Sequence, residues 1–130
     1  MNNLPGGADL LSIARDTLLS ELLPLANGDA RYALLMVANA MAIAAREAEA
    51  GDAAARSALA RLEKLYGETP SGDALESRLS EYERRLAQDI RAGVFDAHDD
   101  RQRALLTHLR ESVVERLRIS NPKSLKSQNP

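Results

Sequence analysis

The feature that most constrains this chain is an uncharged stretch from Tyr32 to Ala45, fenced by Arg31 and Arg46. Wound as a helix, it carries apolar residues all the way round. Leu34, Val37, Ala38, Met41 and Ala45 fall on one side, with Tyr32, Leu35, Met36 and Ile43 largely on the other. A helix apolar on every side calls for neighbours on every side. At about 21 Å it falls short of a bilayer core, so the expectation is a buried helix at the centre of a bundle rather than a membrane span. Asn27-Gly28 before it and Gly51 after it supply the start and stop, with Asp29 as the expected N-cap.

The rest of the chain must supply those neighbours, and its composition favours helices. Apolar residues make up 45% of the 130, aromatic ones only 3%, and the apolar share is dominated by Leu and Ala. Those two are the strongest apolar helix formers, whereas strands favour aromatic and β-branched residues. The expected fold is all-α, a single-domain bundle of four to five helices over residues 1–130, with flexible ends at 1–7 and 121–130.

Punctuation places the other helices. The first starts near Ala8 or Asp9 with a stripe of Leu11, Ala14, Leu18, Leu22 and Leu25, and Pro24 kinks or ends it. A third helix runs from the cap Asp52 to Tyr66 before Gly67, burying Leu59, Leu62, Leu65 and Tyr66. After the polar linker Glu68-Thr69-Pro70-Ser71-Gly72, Asp73 caps a fourth helix striped with Leu75, Leu79, Tyr82, Leu86 and Ile90, its outer faces carrying a Glu81–Arg85 pair. Gly93 ends that helix, Asp96 caps the next, and Leu105, Leu109, Val113 and Leu117 form its stripe up to the Asn121-Pro122 stop. From Lys123 onward the chain is expected to fray.

Charge and motifs exclude several functions. The formal net charge is −2 with signs interleaved, which speaks against a nucleic-acid-binding face or a polybasic membrane anchor. Arg84, Arg85 and Arg91 are offset by Glu81, Glu83 and Asp89, so no helix reads as a DNA-recognition helix. The absence of Cys removes disulfides, thiol catalysis and Cys-ligated zinc, and is compatible with a reducing cytoplasm. No signal peptide is evident, and a cytoplasmic location is expected. The two histidines, His98 and His108, stand ten apart and make no metal pair, and no Glu-x-x-His motif exists. Asp99-Asp100 reads as first-turn charge, with Asp99 four residues before Arg103. An acyl carrier protein is set aside because the Asp-Ser-Leu attachment motif is missing. Neither a catalytic residue nor a cofactor is expected.

One polar constellation stands out. Tyr32, Asn39 and Arg46 are spaced by seven and share a helix face within about 20° per step. Asn39 interrupts an apolar run, so it is expected to be buried and hydrogen-bonded within the chain, with Arg46 paired near the helix end. The functional alternative is a polar floor for a ligand or partner.

The same segment, from Arg31 to Glu47, resembles the signature of a small bacterial domain family of unknown function, in which Asn-Ala-hydrophobic-x-Ile is followed by Arg-Glu. The segment Glu115 to Pro122 is similar to that family's closing Asn-Pro segment, and Leu22-Leu23-Pro24 to its first helix, so the resemblance covers most of the chain. Members are often encoded beside aminoglycoside-phosphotransferase-like kinases and acyl-CoA dehydrogenases. This implies a role near acyl-CoA or small-molecule phosphate metabolism but supplies no reaction. The family's Asn-Pro is followed by a basic residue and an aromatic. Lys123 matches here and Ser124 does not, so no role is carried over for the tail.

The functional expectation is a non-catalytic accessory or assembly protein that binds such a kinase or dehydrogenase, or pairs as a homodimer. The alternative is a small-molecule-binding protein or small enzyme. The binding residues are Tyr32, Asn39, Arg46 and Glu47 in either case.

Overall fold

A computed structural model of the chain describes residues 6–72 and 74–126. Among them every regular element is helical: α1 Gly7–Thr17, a π-helical turn Leu18–Leu22, a 3₁₀ turn Leu23–Leu25, α2 Gly28–Ala50, α3 Ala53–Tyr66, α4 Leu75–Arg91, α5 Asp100–Ser120 and the short α6 Lys123–Lys126. The all-α class is as the composition requires. Of the tail expected to fray, the part up to Lys126 forms a helical turn, and the remainder lies outside the described residues.

Helix ends follow local chemistry. Pro24 has no N–H to give and its ring crowds the carbonyl one turn back. The chain widens to a π turn before it, with the Leu23 N–H reaching the Leu18 carbonyl, then tightens and leaves the helix at Ala26. Gly67 and Gly93 both adopt positive φ and close their helices with paired bonds. Glu68 N–H donates to the Glu63 carbonyl and Gly67 N–H to that of Lys64; Val94 and Gly93 do the same to Asp89 and Ile90.

A Cβ on Gly93 would stand 2.9 Å from Asp96 Oδ2, on top of its φ of +81°. Gly93→Ala should therefore cost about 1–2 kcal/mol, read as a lower urea midpoint with an unchanged slope. An unaltered midpoint would remove this account of the turn.

Two expected caps are corrected. Asn27 is the N-cap residue of α2, and Asp29 sits inside its first turn. α5 begins at Asp100 rather than after Asp96, because Asp99 Oδ1 accepts the Gln102 N–H at 3.0 Å. Asp96 instead belongs to a turn in which its N–H donates to the Gly93 carbonyl. Asp73, expected to cap α4, lies outside the described residues.

The chain divides into two compact units. The first draws on Met1–Gly51 and Ile119–Lys123, the second on Asp52–Arg118 and Ser124–Pro130. In the first, α2 packs against α1 and the π and 3₁₀ turns. Ala38 is buried there, small enough for Arg15 Nε of α1 to reach its carbonyl at 3.1 Å, and Leu18 is buried as well. The expectation that α2 is the buried centre is overturned. Leu35, Met36 and Val37 are exposed, as is Tyr32 at 67%. Apolarity all round signals a demand for partners, but α1 and its two turns cover one side of the helix only.

The well-packed core lies in the second unit. Leu62, Tyr82, Leu86, Phe95 and Leu105 form it, with Leu59, Leu65, Tyr66 and Leu79 packed against it. The stripes expected on α3 and α4 supply most of these. The α5 stripe does not hold, since Leu109 and Val113 are exposed at 40% and 55%.

Candidate functional site

The face expected to carry binding residues is real as a face but not as a pocket floor. Tyr32 and Asn39 are both exposed, which corrects the expected burial of Asn39. Arg46 is half-buried, and its Nε donates to the Ile119 carbonyl at 2.6 Å; Glu47 is exposed. Arg46 thus anchors the end of α5 by satisfying one of its terminal carbonyls, which have no helical partner of their own. Tyr32 and Asn39 share an open, uncharged surface with Leu35 and Met36, and an amide in that setting keeps its hydration without any internal partner.

Polar chemistry concentrates in the second unit, where it was not expected. Arg61, on α3, reaches across to three successive turns of α5. Its Nε donates to His108 Nδ1 at 3.1 Å, its Nη1 to Glu115 Oε1 at 2.8 Å, and its Nη2 to Ser112 Oγ and Glu115 Oε2. The bond to Nδ1 makes that nitrogen the acceptor, so the neutral ring carries its proton on Nε2. Burial, reinforced by the Arg61 charge, pulls the His108 pKa below its ordinary value, with Glu115 opposing. The imidazole is therefore neutral at pH 7.

Between α3 and α5 lies a cleft of about 460 Å³. Arg61, Lys64 and Leu65 line it from α3, and Asp100, Arg101, Ala104, Thr107 and His108 from α5. The Arg101 guanidinium sits 5.1 Å from the centre of the buried Phe95 ring. Asp100 is paired with Arg103, not Asp99 as the spacing implied.

A second polar cluster fastens α3 to α4. Buried Glu63 accepts from Arg78 Nε at 3.0 Å, and Arg78 also donates to the Tyr82 hydroxyl. Tyr82 donates to Glu68, whose other oxygen takes Arg85. Arg85 turns to Glu68 and Asp89 rather than to the expected Glu81, and stacks 3.9 Å over Tyr66. Those contacts hold the Glu68 carboxyl below its usual range, through Arg85 first and Tyr82 second. Burial and the bond to Asp89 push the Tyr66 hydroxyl up to about 12. Every member is satisfied by another, the behaviour of structural fastening rather than of a reactive site.

Sequence reasoning missed Arg61, Glu63 and His108, though a signal existed. Leu59, Leu62, Glu63 and Tyr66 share one helical stripe, which puts a carboxylate among core positions. Leu105, His108, Ser112 and Glu115 do the same on α5 with three polar residues.

Among the described residues no group of three His, Asp or Glu side chains is placed to hold a metal ion, and no helix is long and apolar enough to cross a membrane. No curated protein and no solved structure matches the chain. A family model, the domain of unknown function DUF6285, matches residues 24–124, from the turn before α2 through α5 into the start of α6. That match covers α2, the cleft and both polar clusters, and on its strength the chain belongs to the DUF6285 family.

Proposed function

We propose that this chain is a non-catalytic helical assembly module that docks on a partner protein through the exposed face of α2. The observation that carries this reading is the exposure of Tyr32, Leu35 and Met36 on one face of a stretch that has no charge from Tyr32 to Ala45. Isolated exposed apolar residues are ordinary, but a contiguous apolar face is where proteins meet. Asn39 adds a donor and an acceptor to the middle of that face. Arg46 and Glu47 would form its charged border, as interfaces commonly place polar groups at the rim.

The kinase-like and acyl-CoA dehydrogenase neighbours implied by the family resemblance are the partners to try first, with a homodimer as the alternative. A small-molecule site around Asn39 and Arg46 has less support, because Tyr32 and Asn39 are open to solvent and Arg46 is engaged with Ile119.

The test uses the full chain, with mass in solution measured alone and with each neighbouring enzyme. Leu35→Glu with Met36→Glu should weaken association at least tenfold while leaving helicity and melting temperature near wild type, since exposed substitutions usually shift stability by less than about 0.5 kcal/mol. Unchanged association in that variant, or a wild-type chain that stays monomeric and binds neither enzyme, would overturn the reading.

A further inference from the structure

The cleft between α3 and α5 belongs to neither the apolar face of α2 nor the fastening of α4, and its chemistry is specific. Arg61 holds the two helices across a polar bridge to His108, Ser112 and Glu115, and the cleft opens alongside it. Ala104 is too small to fill the gap, and Leu65 gives it an apolar wall. The resulting volume, about 460 Å³, falls within the range of small-ligand sites.

The balance of charge decides what could enter. Arg61 is neutralised by Glu115, and Asp100 by Arg103. His108 is neutral at pH 7 and contributes a ring N–H rather than a charge. That leaves Lys64 and Arg101, one on each wall, with no ion-pair partner among the described residues. Arg101 is steadied by its position over Phe95, so less of its freedom is lost on binding. The first turn of α5 adds little, because Asp99 already caps it.

We infer that this cleft binds a small organic anion, its phosphate or carboxylate group held between Lys64 and Arg101 and its apolar part lying against Leu65 and Ala104. Two cations on opposite walls over an apolar floor select for a ligand with one charged end and one apolar end. A bare inorganic ion would gain only the first half of that, and a neutral ligand only the second.

The chain's two histidines make the test direct, since His108 lines the cleft and His98 does not. Phenyl phosphate, benzoate and benzyl alcohol would each be titrated at constant ionic strength into the full-length protein, following both imidazoles by NMR. An anion seated between Lys64 and Arg101 should move the His108 signals along a saturating curve and raise its pKa, with His98 nearly still. Benzyl alcohol should bind at least tenfold more weakly. Saturation by phenyl phosphate alone assigns a phosphate head group, by benzoate alone a carboxylate, and by both a general anion site.

Lys64→Gln with Arg101→Gln, both at exposed positions, should weaken binding at least tenfold with the circular dichroism spectrum unchanged. The inference is overturned if neither anion saturates, if both histidines shift together, if the alcohol binds as well as the anions, or if the double variant binds like wild type. Loss of partner docking in the α2 variant leaves all of these readouts untouched, so the two readings fail separately.

Discussion

Leu62→Ala is expected to destabilise the protein by about 3–5 kcal/mol, the upper part of the range for a buried leucine. Among the described residues Leu62 is the only large side chain at 0% exposure, and it sits among Tyr82, Leu86, Phe95 and Leu105. Two of those neighbours are rings held in place by stacking and hydrogen bonds: Tyr66 lies 5.8 Å from Tyr82 and meets Phe95 edge-on, and Tyr82 is bonded to Glu68. Side chains fixed in this way cannot collapse into the space a leucine leaves, so the cavity persists and its full cost is felt. Leu109→Ala on α5 is the matched comparison, and should change stability by less than about 1 kcal/mol because that side chain already faces water. Denaturant unfolding of the two variants side by side settles the point. Similar losses would mean that the leucine stripe of α5, rather than the cluster around Leu62, carries the core.

That comparison also shows where the sequence could be read and where it could not. The stops of the helices were legible because they depend on single residues. Gly67 and Gly93 adopt positive φ at the positions where their helices stop, and Pro24 ends the first helical stretch for want of an N–H. The α3 and α4 stripes were legible because they mix spacings of three and four, which keeps their core residues on one face. On α5 the apolar residues recur strictly every fourth position, and such a row drifts about 40° per step. From Leu105 it has left the interface by Val113. The row that stays in register is Leu105, His108, Ser112 and Glu115, and nothing in α5 by itself says that a polar row should be the inner one. The reason lies on α3, where Arg61 needs those partners.

The α2 face was half legible for a related reason. Spacing by seven put Tyr32, Asn39 and Arg46 on one side, but periodicity reports which residues face together and not what they face. Their burial depends on what the chain has available to lay against them. The first unit offers α1 and two short turns, which cover Ala38 and leave Tyr32 and Asn39 in water.

The bridge built by Arg61 leads to the second large expected effect, which combines stability with pH. Arg61→Ala and Glu115→Ala should each cost roughly 3 kcal/mol, since each leaves a largely buried charge without its partner. The pair is 22% and 15% exposed, enough burial for that penalty to outweigh solvent screening. Replacing both with Met and Leu should restore much of the loss, because the penalty comes from the stranded charge rather than from the pair.

The two single variants then separate at His108. Arg61 lowers its pKa and Glu115 raises it, so Arg61→Ala should move the imidazole up and Glu115→Ala further down. In wild type the folded pKa lies below that of the unfolded chain, about 6.5. The unfolded chain thus takes up the proton first as pH falls. The stability held by neutral His108 is complete above about pH 6.5 and is lost as pH falls through the folded pKa. Arg61→Ala should flatten that acid-side loss and Glu115→Ala should extend it to lower pH. Histidine titration by NMR with urea midpoints at pH 5 and 7 measures both quantities. Shifts of the same sign in the two variants would show that burial alone sets the His108 pKa, with the Arg61–Glu115 pair adding nothing to it.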